Sequence, residues 1–153
     1  MTIEAGQTLP PFSLPTDAGT TVGPADFAGR KLVLYFYPKD DTSGCTLEAR
    51  GFTDRLADFA AADTAVVGVS KDGVKSHAKF RDKYQLPYRL LADDGHRLAE
   101  AYGVWIPKSF RGRDYFGNER TTFVIGPDGR IETVLAQVKP DAHVEQLLDV
   151  LAA

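Results

Sequence analysis

The sequence predicts an α/β fold: a central mixed β-sheet flanked by helices on both faces, with an N-terminal hairpin. Three features carry this expectation. Two short apolar runs, residues 32–37 (LVLYFY) and 64–70 (TAVVGVS), read as strands buried on both faces. Each is followed by helical periodicity, so parallel strands joined by right-handed crossovers are expected. A third run, 120–126 (RTTFVIG), leads through Pro127-Asp128-Gly129-Arg130 into residues 131–138. Proline presets one dihedral and Asp-Gly tolerates positive φ, so this stretch turns back as an antiparallel pair.

The elements follow in order. Residues 10–24, around Asp17-Ala18-Gly19, read as a short hairpin or edge structure. After the first buried strand, Ala49, Phe52, Leu56 and Phe59 recur at helical spacing, which predicts a helix over 45–61. A second helix is expected over 72–84, a short strand over 88–92 and a short helix over 95–102. Residues 103–119 carry many turn residues and are expected to be mostly loop. The last helix carries Val144, Leu147, Leu148 and Leu151 on one stripe. The order β-α-β-α-β, loop, β-β-α is that of a thioredoxin-like fold. One domain is expected over 1–153, without repeats or linkers.

Composition narrows the function. The net charge is −3, so no basic field exists to hold nucleic acid or an anionic membrane surface. No apolar run approaches the roughly 20 residues that span a bilayer. The first residues lack the basic start and apolar stretch of a secretory signal. Cys45 is the single cysteine, which rules out an internal disulfide and a cysteine-pair metal site. A reducing, cytoplasmic setting is expected. His77, His96 and His143 show no ligand spacing, so solvated or capping roles are expected and no metal or other cofactor.

Chemistry in an open α/β sheet gathers beyond the carboxyl ends of its strands. The first buried strand ends at Tyr37-Pro38, and Lys39-Asp40-Asp41-Thr42-Ser43-Gly44-Cys45-Thr46 leads into a helix. Cys45 therefore falls in a first helical turn, where free N–H groups and the helix dipole favour a thiolate. Thr42, as N-cap, would bond the Cys45 N–H and stand near the sulfur. Gly44 would let the backbone approach a small ligand, and Pro38 would shield one side of the pocket. Asp40 and Asp41 oppose a thiolate if they face it. They are expected to point to solvent, with Lys39 and Arg120 outweighing them.

The string Tyr37-Pro38-Lys39-Asp40-Asp41-Thr42-Ser43-Gly44-Cys45 resembles the peroxiredoxin active-site motif. With Tyr35-Phe36 before it and Thr46-Leu47-Glu48-Ala49 after it, the match is to the peroxiredoxin Q branch, also called bacterioferritin comigratory protein. Gly103-Val104-Trp105, Lys108, Gly112, Gly117 and Arg120-Thr121-Thr122-Phe123-Val124-Ile125 resemble that branch's second signature. The resemblance implies a thiol-dependent peroxidase with Cys45 as nucleophile, Thr42 and Arg120 as its activating partners and Pro38 as pocket wall. Glu48 would orient an arginine, while Gly44, Tyr37, Trp105 and Lys108 would border the pocket. Many members of the branch carry a resolving cysteine five residues after the nucleophile, where this chain has Arg50. The implied recycling is therefore by an external thiol: a thioredoxin, a glutaredoxin or a low-molecular-weight thiol. A monomer is expected in preference to a dimer.

Rival readings fare worse. A cysteine phosphatase loop needs five residues between cysteine and arginine, and Cys45 and Arg50 are separated by four. A thiol–disulfide oxidoreductase needs a second cysteine. The alternative from another class is a non-catalytic thioredoxin-like binding or chaperone module, whose thiol would be inert toward peroxide.

Overall fold

The computed structural model describes residues 4–8 and 10–152. β1 (Leu14–Pro15) and β2 (Thr21–Val22) pair antiparallel as the N-terminal hairpin, and a 3-10 turn (Pro24–Phe27) follows. β3 (Lys31–Phe36) is central to the main sheet because both of its faces are apolar, and Leu32 to Phe36 are almost wholly buried. β4 (Thr64–Ser70) lies parallel beside β3, and β5 (Arg89–Ala92) parallel beside β4. Gly68 of β4 faces Tyr35, and a Cβ there would stand 2.9 Å from both the Tyr35 ring and Leu90. No larger residue fits between them.

Helix α1 (Ser43–Asp54) follows β3, and α2 (Leu56–Ala61) restarts after Arg55. The single helix expected over 45–61 is thus two, broken at Arg55, whose guanidinium pairs with Asp58 and with Glu145 near the C-terminus. α3 (Val74–Tyr84) joins β4 to β5, and α4 (Arg97–Ala101) follows β5.

Residues 103–119 are the main departure from expectation. They form a hairpin, β6 (Trp105–Phe110) and β7 (Arg113–Asn118), closed by Arg111 and Gly112, both at positive φ. Most of its residues are exposed or half-buried, so no apolar alternation marks it in the sequence.

β8 (Thr121–Ile125) runs antiparallel to β3, and β9 (Ile131–Leu135) antiparallel to β8, giving the order β5-β4-β3-β8-β9. α5 (His143–Ala152) closes the chain. One face of the sheet packs Val33, Tyr35 and Tyr37 against Ala49 and Phe52 of α1, Phe59 of α2, Phe80 of α3 and Leu147 of α5. The other packs Leu32, Leu34 and Phe36 against α4, Tyr102 and Val104, with Phe12, Leu14 and Phe27 alongside. Among the described residues no helix is long and apolar enough to cross a membrane.

Candidate active site

The turn after β3 delivers Thr42 as the N-cap of α1, in extended conformation (φ −95°). The first helical bond runs from the Thr46 N–H to the Thr42 carbonyl at 2.8 Å. Ser43, Gly44 and Cys45 precede it, so their N–H groups belong to the unsatisfied positive end of the helix. Cys45 is 1% exposed. Arg120, the residue before β8, reaches it from the neighbouring strand: Nη2 lies 3.5 Å from Sγ, and Nη1 donates to Glu48 Oε1 at 2.8 Å. One guanidinium therefore bridges the sulfur and a carboxylate one turn further along α1.

Glu48 is wholly buried, and its Oε2 has no hydrogen-bond partner. Burial pushes its carboxyl up to about 7, against the pull of Arg120. Burial also works against the charge of Arg120, yet Glu48 and Cys45 outweigh it and hold its pKa above the ordinary arginine value. Behind them, His143 Nε2 lies 2.6 Å from the Thr122 hydroxyl and 3.8 Å from Glu48 Oε2. Burial, followed by the Arg120 cation, takes His143 down to about 4. A neutral imidazole thus backs the carboxylate.

The arrangement is a single buried sulfur at a helix N-terminus, in contact with a cation that a second acid orients. The AhpC/TSA family model matches residues 5–134. The chain belongs to the AhpC/TSA family. A putative peroxiredoxin bcp of Coxiella burnetii is 48% identical over 97% of this chain and 98% of the relative. Peroxiredoxin Bcp of Bacillus subtilis is 47% identical over 99% and 96%. Among solved structures, a mutant of Xylella fastidiosa PrxQ superposes with a TM-score of 0.94 at 35% identity, covering 99% of this chain and 97% of that one. Xanthomonas campestris bacterioferritin comigratory protein, described for its alkyl peroxide reduction, gives 0.90 at 34% identity, over 97% and 98%. The chain is thus a peroxiredoxin of the Bcp and Q branch with a thioredoxin-like fold, a thiol-dependent peroxidase that uses a peroxide and a thiol reductant.

In this peroxiredoxin the sequence-derived site residues divide. Cys45, Arg120 and Glu48 are brought together. At Gly44 a Cβ would stand 3.2 Å from Arg120 Nη2 and 3.4 Å from Pro140, so its bareness leaves room for the arginine. Thr42 is the N-cap, but its hydroxyl donates to the Lys39 carbonyl at 2.9 Å and makes no capping bond. Pro38 is half-buried at the exit of β3. Lys108 donates to the Asn118 carbonyl at 2.5 Å, and Asn118 Nδ2 donates to the Tyr37 carbonyl at 3.2 Å, so β6 and β7 strap the end of β3. Burial and Arg120 lower the Lys108 pKa while charge at Cys45 opposes them, which places Lys108 within electrostatic reach of the sulfur.

Trp105 is not among these groups: it packs against the opposite apolar cluster and stacks on His96, with ring centroids 4.2 Å apart. Tyr37 sends its hydroxyl to Asp40 at 2.5 Å. Asp40, expected in solvent, is buried, because Tyr37, Ser76 and His77 enclose its carboxylate. Asp41 is exposed, as expected, and accepts from Lys83 at 2.8 Å and Tyr84 at 2.7 Å. His77 and His143, expected to be solvated or capping, are fully buried. The signal for both was present. His77 is in helical register with Phe80 and Tyr84, and His143 with Leu147 and Leu151.

Proposed function

We propose that this chain reduces hydrogen peroxide and alkyl hydroperoxides at Cys45 and is recycled by an external thiol. The Cys45 thiolate attacks one peroxide oxygen; an S–O bond forms as the O–O bond breaks. Cys45 becomes a sulfenic acid, and the departing oxygen leaves as hydroxide or alkoxide and takes up a proton. Arg120 and the N–H groups of the first turn of α1 stabilise the charge as it moves to the leaving oxygen. Thr42 commits its own hydrogen to the Lys39 carbonyl. Its oxygen is therefore left to accept from the peroxide O–H. Pro38 bounds the pocket.

The observation that carries this reading is the Arg120 guanidinium, 3.5 Å from Cys45 Sγ and anchored by Glu48. With Arg50 where a resolving cysteine would stand, the sulfenic acid waits for a thioredoxin, a glutaredoxin or a small thiol. A monomer working in the cytoplasm is in keeping with one cysteine and no internal disulfide. The test is peroxide consumption with each reductant system supplied in turn, on the wild-type chain and on Cys45→Ser. Turnover with at least one reductant and none in the variant is expected. Substantial turnover by Cys45→Ser removes Cys45 from the reaction.

A further inference from the structure

A second buried charge cluster lies on the other side of the turn that carries the pocket. Asp40 follows Pro38 by two residues and precedes Cys45 by five. Its side chain is 4% exposed and that of His77 is 0% exposed. Oδ1 accepts from the Tyr37 hydroxyl at 2.5 Å and Oδ2 from the Ser76 hydroxyl at 2.8 Å. His77 Nδ1 lies 2.7 Å from Oδ2, and on the far side of the ring Nε2 lies 2.8 Å from the Leu91 carbonyl of β5. A carbonyl oxygen only accepts, so Nε2 carries a hydrogen. An ionised carboxylate also only accepts, so a second proton must lie between Nδ1 and Oδ2. Asp72, half-buried, accepts from the Asp40 N–H at 2.8 Å and the Ser70 hydroxyl at 2.6 Å and so holds the backbone of the same turn. With the Tyr37 and Ser76 hydroxyls both donating to the carboxylate, Asp40 is an acceptor throughout, and the proton between carboxylate and ring belongs on Nδ1. Lys79, Lys83 and Asp82 line the open cleft outside, with Asp40 and Asp41 at its edge.

We propose that His77 is a positioning residue for peroxide reduction: an imidazolium, held between Asp40 and the Leu91 carbonyl, that fixes the Pro38–Asp40 turn and through it the approach to Cys45. This rests on Cys45 being the nucleophile. A buried ion pair is a poor source of stability compared with apolar packing, and its best-attested use is to specify one geometry. The turn needs such specification. Asp41 holds a left-handed φ of 57° immediately before the N-cap, and α3 grips it too, through Lys83 and Tyr84. Two successive turn residues are therefore tied to α3, Asp40 through a buried charge pair and Asp41 through an exposed one, and the chain then enters the first turn of α1.

Single-turnover oxidation by hydrogen peroxide, set against alkylation by iodoacetamide, tests this. Both reactions need the thiolate, but only the first needs the peroxide geometry. For His77→Gln, the peroxide rate constant is expected to fall by about tenfold while alkylation is unchanged. Asp40→Asn keeps the volume and is expected to show the same selective loss, smaller in size; it decides between the outcomes if His77→Gln does not fold. Histidine ring 15N–1H spectra at neutral pH are expected to show both nitrogens of His77 protonated in the wild type and one in Asp40→Asn. A bare Nδ1 in the wild type, a wild-type peroxide rate in the variants, or equal slowing of both reactions overturns the proposal. A wild-type chain that is alkylated yet inert to peroxide overturns the nucleophile assignment instead, and the ring spectra still decide the clamp.

Discussion

The turn between β3 and α1 is flanked by two buried charge clusters with opposite construction. Around Asp40 and His77, both carboxylate oxygens and both ring nitrogens have partners at 2.5–2.8 Å. Around Glu48 and Arg120, Glu48 Oε2 and His143 Nδ1 have none, and one cation serves both a carboxylate and a sulfur. A saturated network holds one geometry and has no capacity left for a ligand. An unsaturated one carries an electrostatic cost, which charge moving onto a substrate can draw upon. In the proposed reaction, the difference separates the half of the site that positions from the half that reacts.

The contrast is most severely tested by Arg120→Met. Peroxide oxidation is expected to slow by about 10²–10³-fold, measured in single turnover, while the His77 ring spectrum stays as in the wild type. A spectrum that changes with it would show that the clusters are not separate.

Next in size is the response of stability to pH. Glu48 sits near 7, above its ordinary 4.5, so its contribution is complete below pH 4.5 and is lost as pH rises through 7. His143 sits near 4, below its ordinary 6.5, so its contribution is complete above pH 6.5 and is lost as pH falls through 4. In the wild type the two slopes oppose each other. Glu48→Gln should expose the histidine slope, with stability falling toward acid by up to about 1.4 kcal/mol per pH unit. His143→Gln should expose the carboxylate slope, with stability falling toward neutral pH. Urea midpoints across pH 4–8 measure both, and parallel profiles in the two variants would contradict the assignment.

Tyr37→Phe acts on the saturated cluster alone. It leaves Asp40 Oδ1 buried without its donor, and a loss of about 1–3 kcal/mol in denaturant stability is expected. Gly44→Ala sharpens the other side: the added methyl displaces Arg120 from the sulfur, and the peroxide rate should fall by about tenfold with little change in melting temperature. An unchanged rate would mean that the guanidinium has room to shift and still serve Cys45.

The meeting of Cys45, Glu48 and Arg120 was legible because their placement follows from local pattern: a cysteine in a first helical turn, an acid one turn later, an arginine opening the adjacent strand. The central strands were legible for the same reason, since continuous apolar runs have one stable destination. The β6–β7 hairpin was not, because both of its faces are largely in solvent and no burial pattern was imposed on it. Asp40 was read as solvated because its neighbours in the chain are polar, while the residues that enclose it, Ser76 and His77, lie 36 and 37 positions away. The Thr42 hydroxyl went to Lys39 in place of the Cys45 N–H because the left-handed Asp41 folds the turn back on itself.

The amino-acid order alone thus determined the α/β class, the central strands, and the lone cysteine at a helix start with the arginine that opens the adjacent strand, since apolar periodicity and helix-end chemistry act over a few residues. Only the tertiary structure decided which polar groups would be sealed from water and with what partners. Burial depends on which distant segments close over a side chain, and a carboxylate or imidazole has the same local signature whether it ends in solvent or in a core.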